Sequence, residues 1–457
     1  MGDGIGHLAG SAEQADGSRF EGRRRVIVPG ALPGERARVS MPIPDESSKD
    51  TRGSLVEIVR ASDSRVSAPC GHFGTCGGCS IQHLADSDYT AWKRDLVVAA
   101  LDRAGVDAKT IQPLQRSPPG SRRRADMVVQ RRKGGTITVA YRQRGSHTLV
   151  GLNECAVLDP RLWAGINALK PHLAALLTGD DTLSLQATWT DSGLDVFLTL
   201  QRELDLPGRE ALADMASRCD LARLVVEEGT EGLPPTVLER RTPAIAIETD
   251  RSKIQAFPGE PPLLYPPPGG FLQATADGQR ALASVVIGAA QCAVRLPLEV
   301  PRASKTGDPR LIDQGVQILD LYAGSGTFSL PLAGIGAVHA VESNEAAVGA
   351  LRGAAHRQSL AVTAEVGDLD RAPVLADRME GLAAVIFDPP RAGARAQAEQ
   401  LAIAQVGCII AVSCNPNTFA RDARILTDGG WILSEVVPVD QFLWTGHLEL
   451  VGVFWRG

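Results

Sequence analysis

Long apolar runs are missing from this 457-residue chain. The best candidate for a membrane span, residues 281–294, is too short to cross a bilayer and carries Gln291. The first ten residues lack a basic start followed by an apolar stretch, the pattern of a secretory leader, so a cytoplasmic protein without membrane association is expected. No internal repeat is found. An excess of positive charge is absent too, the net charge being −6. Yet the window 116–144 sets nine Arg or Lys residues against Asp126 alone, a local +8 on a remainder of −14. A basic stripe on an acidic protein fits a polyanion partner, with a solvated hairpin surface as the alternative.

Eight cysteines in a chain read as intracellular speak against a disulfide framework. Cys70, Cys76, Cys79 and Cys155 follow the spacing C-x5-C-x2-C-x75-C, whereas Cys219, Cys292, Cys408 and Cys414 are scattered. The length predicts two or three domains. Residues 1–62 alternate short β-prone runs with Pro-Gly turns and carry Arg23, Arg24, Arg25, Arg36 and Arg38, the composition of an oligonucleotide-binding, OB-like β-barrel. Residues 63–265 read as an α+β middle domain. It holds a Cys- and Gly-rich loop at 69–80, a helix over about 87–104 that packs on the third domain, strand-like runs at 136–141 and 194–200, and an apolar helix near 160–177. The proline-rich stretch 258–268 marks a boundary, and the polar stretch 295–315 a surface insertion.

The third domain, 266–457, changes rhythm. Expected strands at 316–321, 337–341, 362–366, 383–387, 408–412, 431–437 and 448–455 alternate with helices, which predicts a doubly wound, Rossmann-like α/β sheet binding its ligand at the strands' carboxyl ends. The first strand runs into Asp320-Leu321-Tyr322-Ala323-Gly324-Ser325-Gly326. A third glycine is absent: Ser329 stands where a dinucleotide fingerprint has one, which disfavours nicotinamide and flavin. The loop also lacks a basic residue for a phosphate. Acids close successive strands instead, namely Asp320, Glu342, Asp368 and Asp388. A carboxylate after the second strand suits a pair of ribose hydroxyls; the others suit an amino group, an adenine edge and a cationic centre. S-adenosylmethionine carries all of these and no phosphate.

An aromatic is missing after Asp388-Pro389-Pro390, where amino-methylating enzymes stack their base; Arg391 takes its place and counts against N-methylation. The next strand delivers Ser413-Cys414-Asn415-Pro416. A thiolate has a use there. Carbon 5 of uracil is too weak a nucleophile to take a methyl group, but addition of sulfur to C6 loads electron density onto C5. A base must then remove the C5 proton. His447-Leu448-Glu449 opens the last strand, and alternation puts His447 and Glu449 on one face, with Glu449 as base and His447 as its orienting neighbour. Cytosine-C5 enzymes carry their cysteine just after the fourth strand; here it comes one strand later.

With these motifs in view, the chain resembles the RNA uracil-5 methyltransferase family. The resemblance rests on residues 319–328 (LDLYAGSGTF), 388–393 (DPPRAG), 413–416 (SCNP), Phe271-Leu272-Gln273 and His447-Leu448-Glu449. It implies that Gln273, Tyr322, Glu342 and Asp388 contact the methyl donor, beside Gly324 and Asp368 of the reading above, with Cys414 as nucleophile and Glu449 as base. Residues 4–10 and 28–35 resemble the TRAM RNA-binding barrel. Cys70, Cys76, Cys79 and Cys155 resemble the [4Fe–4S] ligands of the family's 23S ribosomal RNA members, zinc being the rival metal. Ribosomal RNA is therefore the favoured partner, transfer RNA the runner-up, and a monomer is expected. A non-catalytic RNA-binding or ribosome-assembly factor on the same fold is the reading from another class. Three departures stand out: Thr275 in place of asparagine, residues 353–357 (GAAHR) in place of Asn-Ala-x-x-Asn, and residues 440–444 (DQFLW) in place of a D-M-F-P-like stretch.

Overall fold

Ala384–Phe387 and Cys408–Ser413 hold no charged residue, and every side chain in them is buried. Only strands covered on both faces bury in this way. In the computed structural model, which describes residues 3–13, 19–41, 50–178, 181–229, 234–250, 259–295 and 315–456, they form the middle of an eight-stranded sheet. Its order is Val362–Val366, Ala337–Glu342, Val316–Leu321, Ala384–Phe387, Cys408–Ser413, Glu449–Arg456, Trp431–Asp440 and Gln115–Arg116. Pairing is parallel throughout except at Glu449–Arg456, which is antiparallel to both neighbours. The order reverses beside Val316–Leu321, and a crevice opens at such a switch point.

Alternation within the strands builds two apolar layers. Ile318, Ile386, Ile410 and Val453 pack under helix Ala276–Arg295. Leu319, Val385, Ile409 and Phe454 pack on the other face with helices Arg395–Ile403 and Pro416–Asp428. Asn344 and Asn415 start two helices by accepting from the backbone N–H of Ala347 and Asn417.

This sheet belongs to a unit made of residues 93–140, 157–441 and 448–457. The same unit holds strands of a second sheet, in which Thr236–Glu239, Arg223–Glu227, Gly193–Thr199, Thr182–Thr190 and Arg124–Arg131 follow one another, with helices Pro160–Leu173 and Leu206–Arg218. Lys93 and Asp440 form a fully buried ion pair at 2.9 Å within it.

The other unit comprises residues 1–92, 141–156 and 442–447. Among the described residues, the strands expected for the OB-like barrel form two small sheets, Asp3–Glu13 with Arg19–Pro29 and Asp50–Arg52, and Arg36–Ser40 with Ser54–Arg60. Arg25, Arg36 and Arg38 are exposed; the side chains of Arg23 and Arg24 lie outside the described residues. Glu35 accepts from Arg65 and from the N–H groups of Leu32 and Ser62, and these bonds hold its carboxyl at about 2 against the opposing effect of burial. Leu32, Ile81, Leu84, Tyr89 and Leu443 make this unit's core. The two units cut across the linear limits expected at 62 and 265, because residues 141–156 and 442–447 group with the chain's first 92 residues. The insertion expected at 295–315 falls, apart from its end residues, outside the described residues, as does Pro258. No helix among the described residues is long and apolar enough to cross a membrane.

Candidate active site

The glycine turn sits where the first strand ends. Tyr322 has a φ of 61°, a left-handed conformation that costs a non-glycine residue about 1 kcal/mol. Its hydroxyl donates to Asp370 Oδ1 at 3.2 Å. Gly326 has a φ of 97°, and a Cβ there would stand 2.4 Å from Leu351 Cδ1, so only glycine lets the turn close against helix Glu345–Arg357. Gly324 N–H donates to Glu342 Oε2 at 3.0 Å, while Glu342 Oε1 accepts from Asn344 N–H at 2.7 Å. The turn and the acid after the second strand are thus tied together. Asp368 differs from the other strand-end acids: half exposed, it accepts from the N–H groups of Asp370 and Arg371 and pairs with Arg371 at 3.4 Å.

Three carboxyls gather at the crevice. Asp320 is fully buried; Ser329 donates to its Oδ2, and its Oδ1 has no hydrogen-bond partner. Burial, with added repulsion from Glu342, pushes Asp320 up to about 7. Asp388 follows strand Ala384–Phe387; burial raises it well above the carboxylate range, and repulsion from Glu449 and Asp320 adds to that. Glu449, only 4% exposed, is pushed by burial to about 7. Carboxyls held together in a poorly solvated place stabilise a positive charge brought among them. An orphaned buried oxygen on Asp320 is a further acceptor for a ligand's N–H. A sulfonium compound with an amino group suits this donor set.

Cys414 stands beyond Ser413, and Ser413 pairs with Leu450 in the antiparallel ladder. One step further in that register sets Cys414 across from Glu449, and the two interact electrostatically. Burial, with repulsion from Glu449 and Asp388, pushes the Cys414 thiol up to about 11 against the opposing effect of Arg391. The donor to the Glu449 carboxylate is Gln441, whose Nε2 lies 3.2 Å from Oε1. His447, expected on one strand face with Glu449, is exposed and precedes the strand, with its ring edge-on to Phe442 at 6.0 Å. Gln273 is buried, and its Oε1 accepts from Gln441 at 2.5 Å. Thr275, a departure from the family pattern, bonds Ser117 at 2.6 Å and accepts from Gly278 N–H.

The basic stripe is only partly a surface. Arg123 is 8% exposed and donates to Gln273 O and Gln279 Oε1; Arg124 donates to Gly270 O. Both hold groups of the protein itself, so the basic stripe expected at 116–144 is not one continuous exposed surface. Arg132, Lys133, Arg142 and Arg144 are exposed.

All four spaced cysteines lie in the unit containing residues 1–92, and none of the four is in a disulfide. Gly71 N–H donates to Glu154 Oε1 at 2.8 Å and Asn153 N–H to His72 Nε2 at 3.1 Å, which brings the Cys155 segment to the loop. Burial, with repulsion from Cys155, Cys76 and Cys70, pushes Cys79 up to about 12. The four thiols therefore interact electrostatically, although no three His, Cys, Asp or Glu side chains among the described residues are gathered to metal-binding geometry. A Cβ on Gly77 would stand 2.6 Å from Arg142 O, so the Cys76–Cys79 turn needs glycine to fit against that strand.

Fold and site together define a methyltransferase. Residues 373–456 match the family model described as tRNA (Uracil-5-)-methyltransferase. An uncharacterized RNA methyltransferase of Caulobacter vibrioides is 36% identical, over 98% of this chain and 97% of its own length. The 23S rRNA (uracil(1939)-C(5))-methyltransferase RlmD of Halomonas elongata is 32% identical, over 96% of this chain and 85% of its own. The crystal structure of Pyrococcus abyssi tRNA (uracil-54, C5)-methyltransferase superimposes with a TM-score of 0.66 at 22% identity, covering 94% of this chain and 95% of that one, and shares the fold. The chain belongs to the RNA uracil-5 methyltransferase family.

Proposed function

We propose that this enzyme methylates C5 of a uridine in 23S ribosomal RNA, with S-adenosylmethionine as donor, Cys414 as nucleophile and Glu449 as base. The observation that carries this reading is the Cys414–Glu449 pair facing across one ladder beside Asp388. Gln273, Tyr322, Gly324, Glu342, Asp368 and Asp388 are assigned to the methyl donor, which supplies an electrophilic carbon. The thiolate of Cys414 adds to C6, and the displaced electron pair lets C5 bond the methyl carbon as that carbon's bond to the sulfonium sulfur breaks, its electron pair leaving with sulfur as a neutral thioether. Glu449 takes the C5 proton, the electrons of that bond restore the C5–C6 double bond, and sulfur leaves as thiolate. The target base must leave any helix to reach this crevice.

Ribosomal RNA is favoured because the Halomonas elongata relative is by name a 23S rRNA enzyme. The family model's description keeps transfer RNA as the second reading. Labelled methyl donor, given with each RNA, is expected to yield 5-methyluridine in 23S transcripts. Label in transfer RNA alone would move the assignment to the second reading, and label in neither would refute both.

Cys70, Cys76, Cys79 and Cys155 are proposed to hold a [4Fe–4S] cluster, four cysteines in one unit that interact electrostatically being a thiolate set of the right number. Its role is structural, since no electron moves in the reaction above. Anaerobic preparation should give a brown protein whose broad visible absorbance is lost in Cys79→Ala. A colourless protein with one zinc would replace iron by zinc.

A further inference from the structure

Gln441 follows strand Trp431–Asp440 and is 2% exposed, at the position where the resembling pattern has methionine. Its amide can point only one way. Oε1 accepts from Ala274 N–H at 2.8 Å, so Nε2 is the donor; it reaches Gln273 Oε1 at 2.5 Å and Glu449 Oε1 at 3.2 Å. A flipped amide would set oxygen against two oxygens and N–H against N–H. The side chain is also held from behind. Asp440, the preceding residue, is locked to Lys93 at 2.9 Å, and a Cβ on Gly278 would stand 2.7 Å from Gln441 Cβ.

We propose that Gln441 is a positioning residue that acts through Glu449. One amide hydrogen fixes the carboxylate oxygen that removes the C5 proton, and the other fixes the direction of the Gln273 amide, so that base and donor pocket share one hinge of hydrogen bonds. The inference rests on the reaction proposed above. Three elements face Glu449. Asp388, after strand Ala384–Phe387, and Cys414, after strand Cys408–Ser413, both disfavour its charged form when ionised. Gln441 alone among them donates to it and favours the carboxylate.

The test uses the full-length enzyme and RNA carrying either uridine or 5-fluorouridine at the target. Fluorine cannot leave as a proton does, so the fluorinated RNA stops at the covalent methylated adduct, before Glu449 acts. Gln441→Met and the isosteric Gln441→Glu both remove the neutral donor. Each is expected to trap adduct, and the acid limb of its turnover profile on uridine should move up by roughly half to one pH unit. An unshifted limb in either adduct-forming variant would overturn the proposal. So would failure of both to fold, which would make Gln441 a packing residue. If the unmodified enzyme trapped no adduct, the reaction itself would fail, separately from the role of Gln441.

Discussion

Cys414→Ala should lose turnover by about 10^4-fold or more, the scale seen when a covalent nucleophile is removed. It should also trap nothing on 5-fluorouridine RNA. The expectation follows from chemistry more than from packing. The side chain is only half buried, so alanine leaves little void, and melting of the variant should match the parent. Carbon 5 then has no route to the electron density it needs, while binding of donor and RNA survives. Turnover within tenfold of the parent, measured as 5-methyluridine formed per enzyme, would remove the thiol from the reaction.

Glu449→Gln should behave in the opposite sense on the covalent step. The amide keeps the shape of the carboxyl but cannot accept the C5 proton, so sulfur stays attached after the methyl has moved. A denaturation-resistant enzyme–RNA adduct is expected on ordinary uridine, with no fluorine required, and turnover should fall by about 10^2- to 10^4-fold. Gel electrophoresis with labelled RNA reads both quantities. A variant that turns over slowly without accumulating adduct would assign proton removal elsewhere. In the parent the sign of the pH effect follows from burial, which raises Glu449 to about 7, so with Glu449 as the proposed base elimination should slow as pH falls through that value.

Much of the catalytic sheet was legible because its determinants are local. Strands Val316–Leu321 and Val362–Val366 lie where the sequence predicts, and the other strands of this sheet beyond Leu321 differ by one to three residues at an end. The place of Cys414 just beyond a strand's carboxyl end was legible because the apolar run before it is local. What stayed hidden depends on partners far away in sequence. Gln441 reads as a mere departure from a pattern until the fold brings Gln273 to it, 168 positions away. Arg123 reads as part of a basic surface until Gln273 O and Gln279 claim it from the interior. His447 was misplaced by strict alternation, which fails because the strand begins at Glu449. The grouping of residues 141–156 with the N-terminal segment likewise has no local signal.

The ladder that joins Ser413 to Leu450, and Val439 to Glu449, makes the backbone itself the ruler between sulfur and carboxylate. Gain or loss of one residue inside either strand would turn one reactive group to the opposite face of the sheet. A one-residue insertion within residues 442–447, outside both strands, is expected to leave the spacing of Cys414 and Glu449 unchanged.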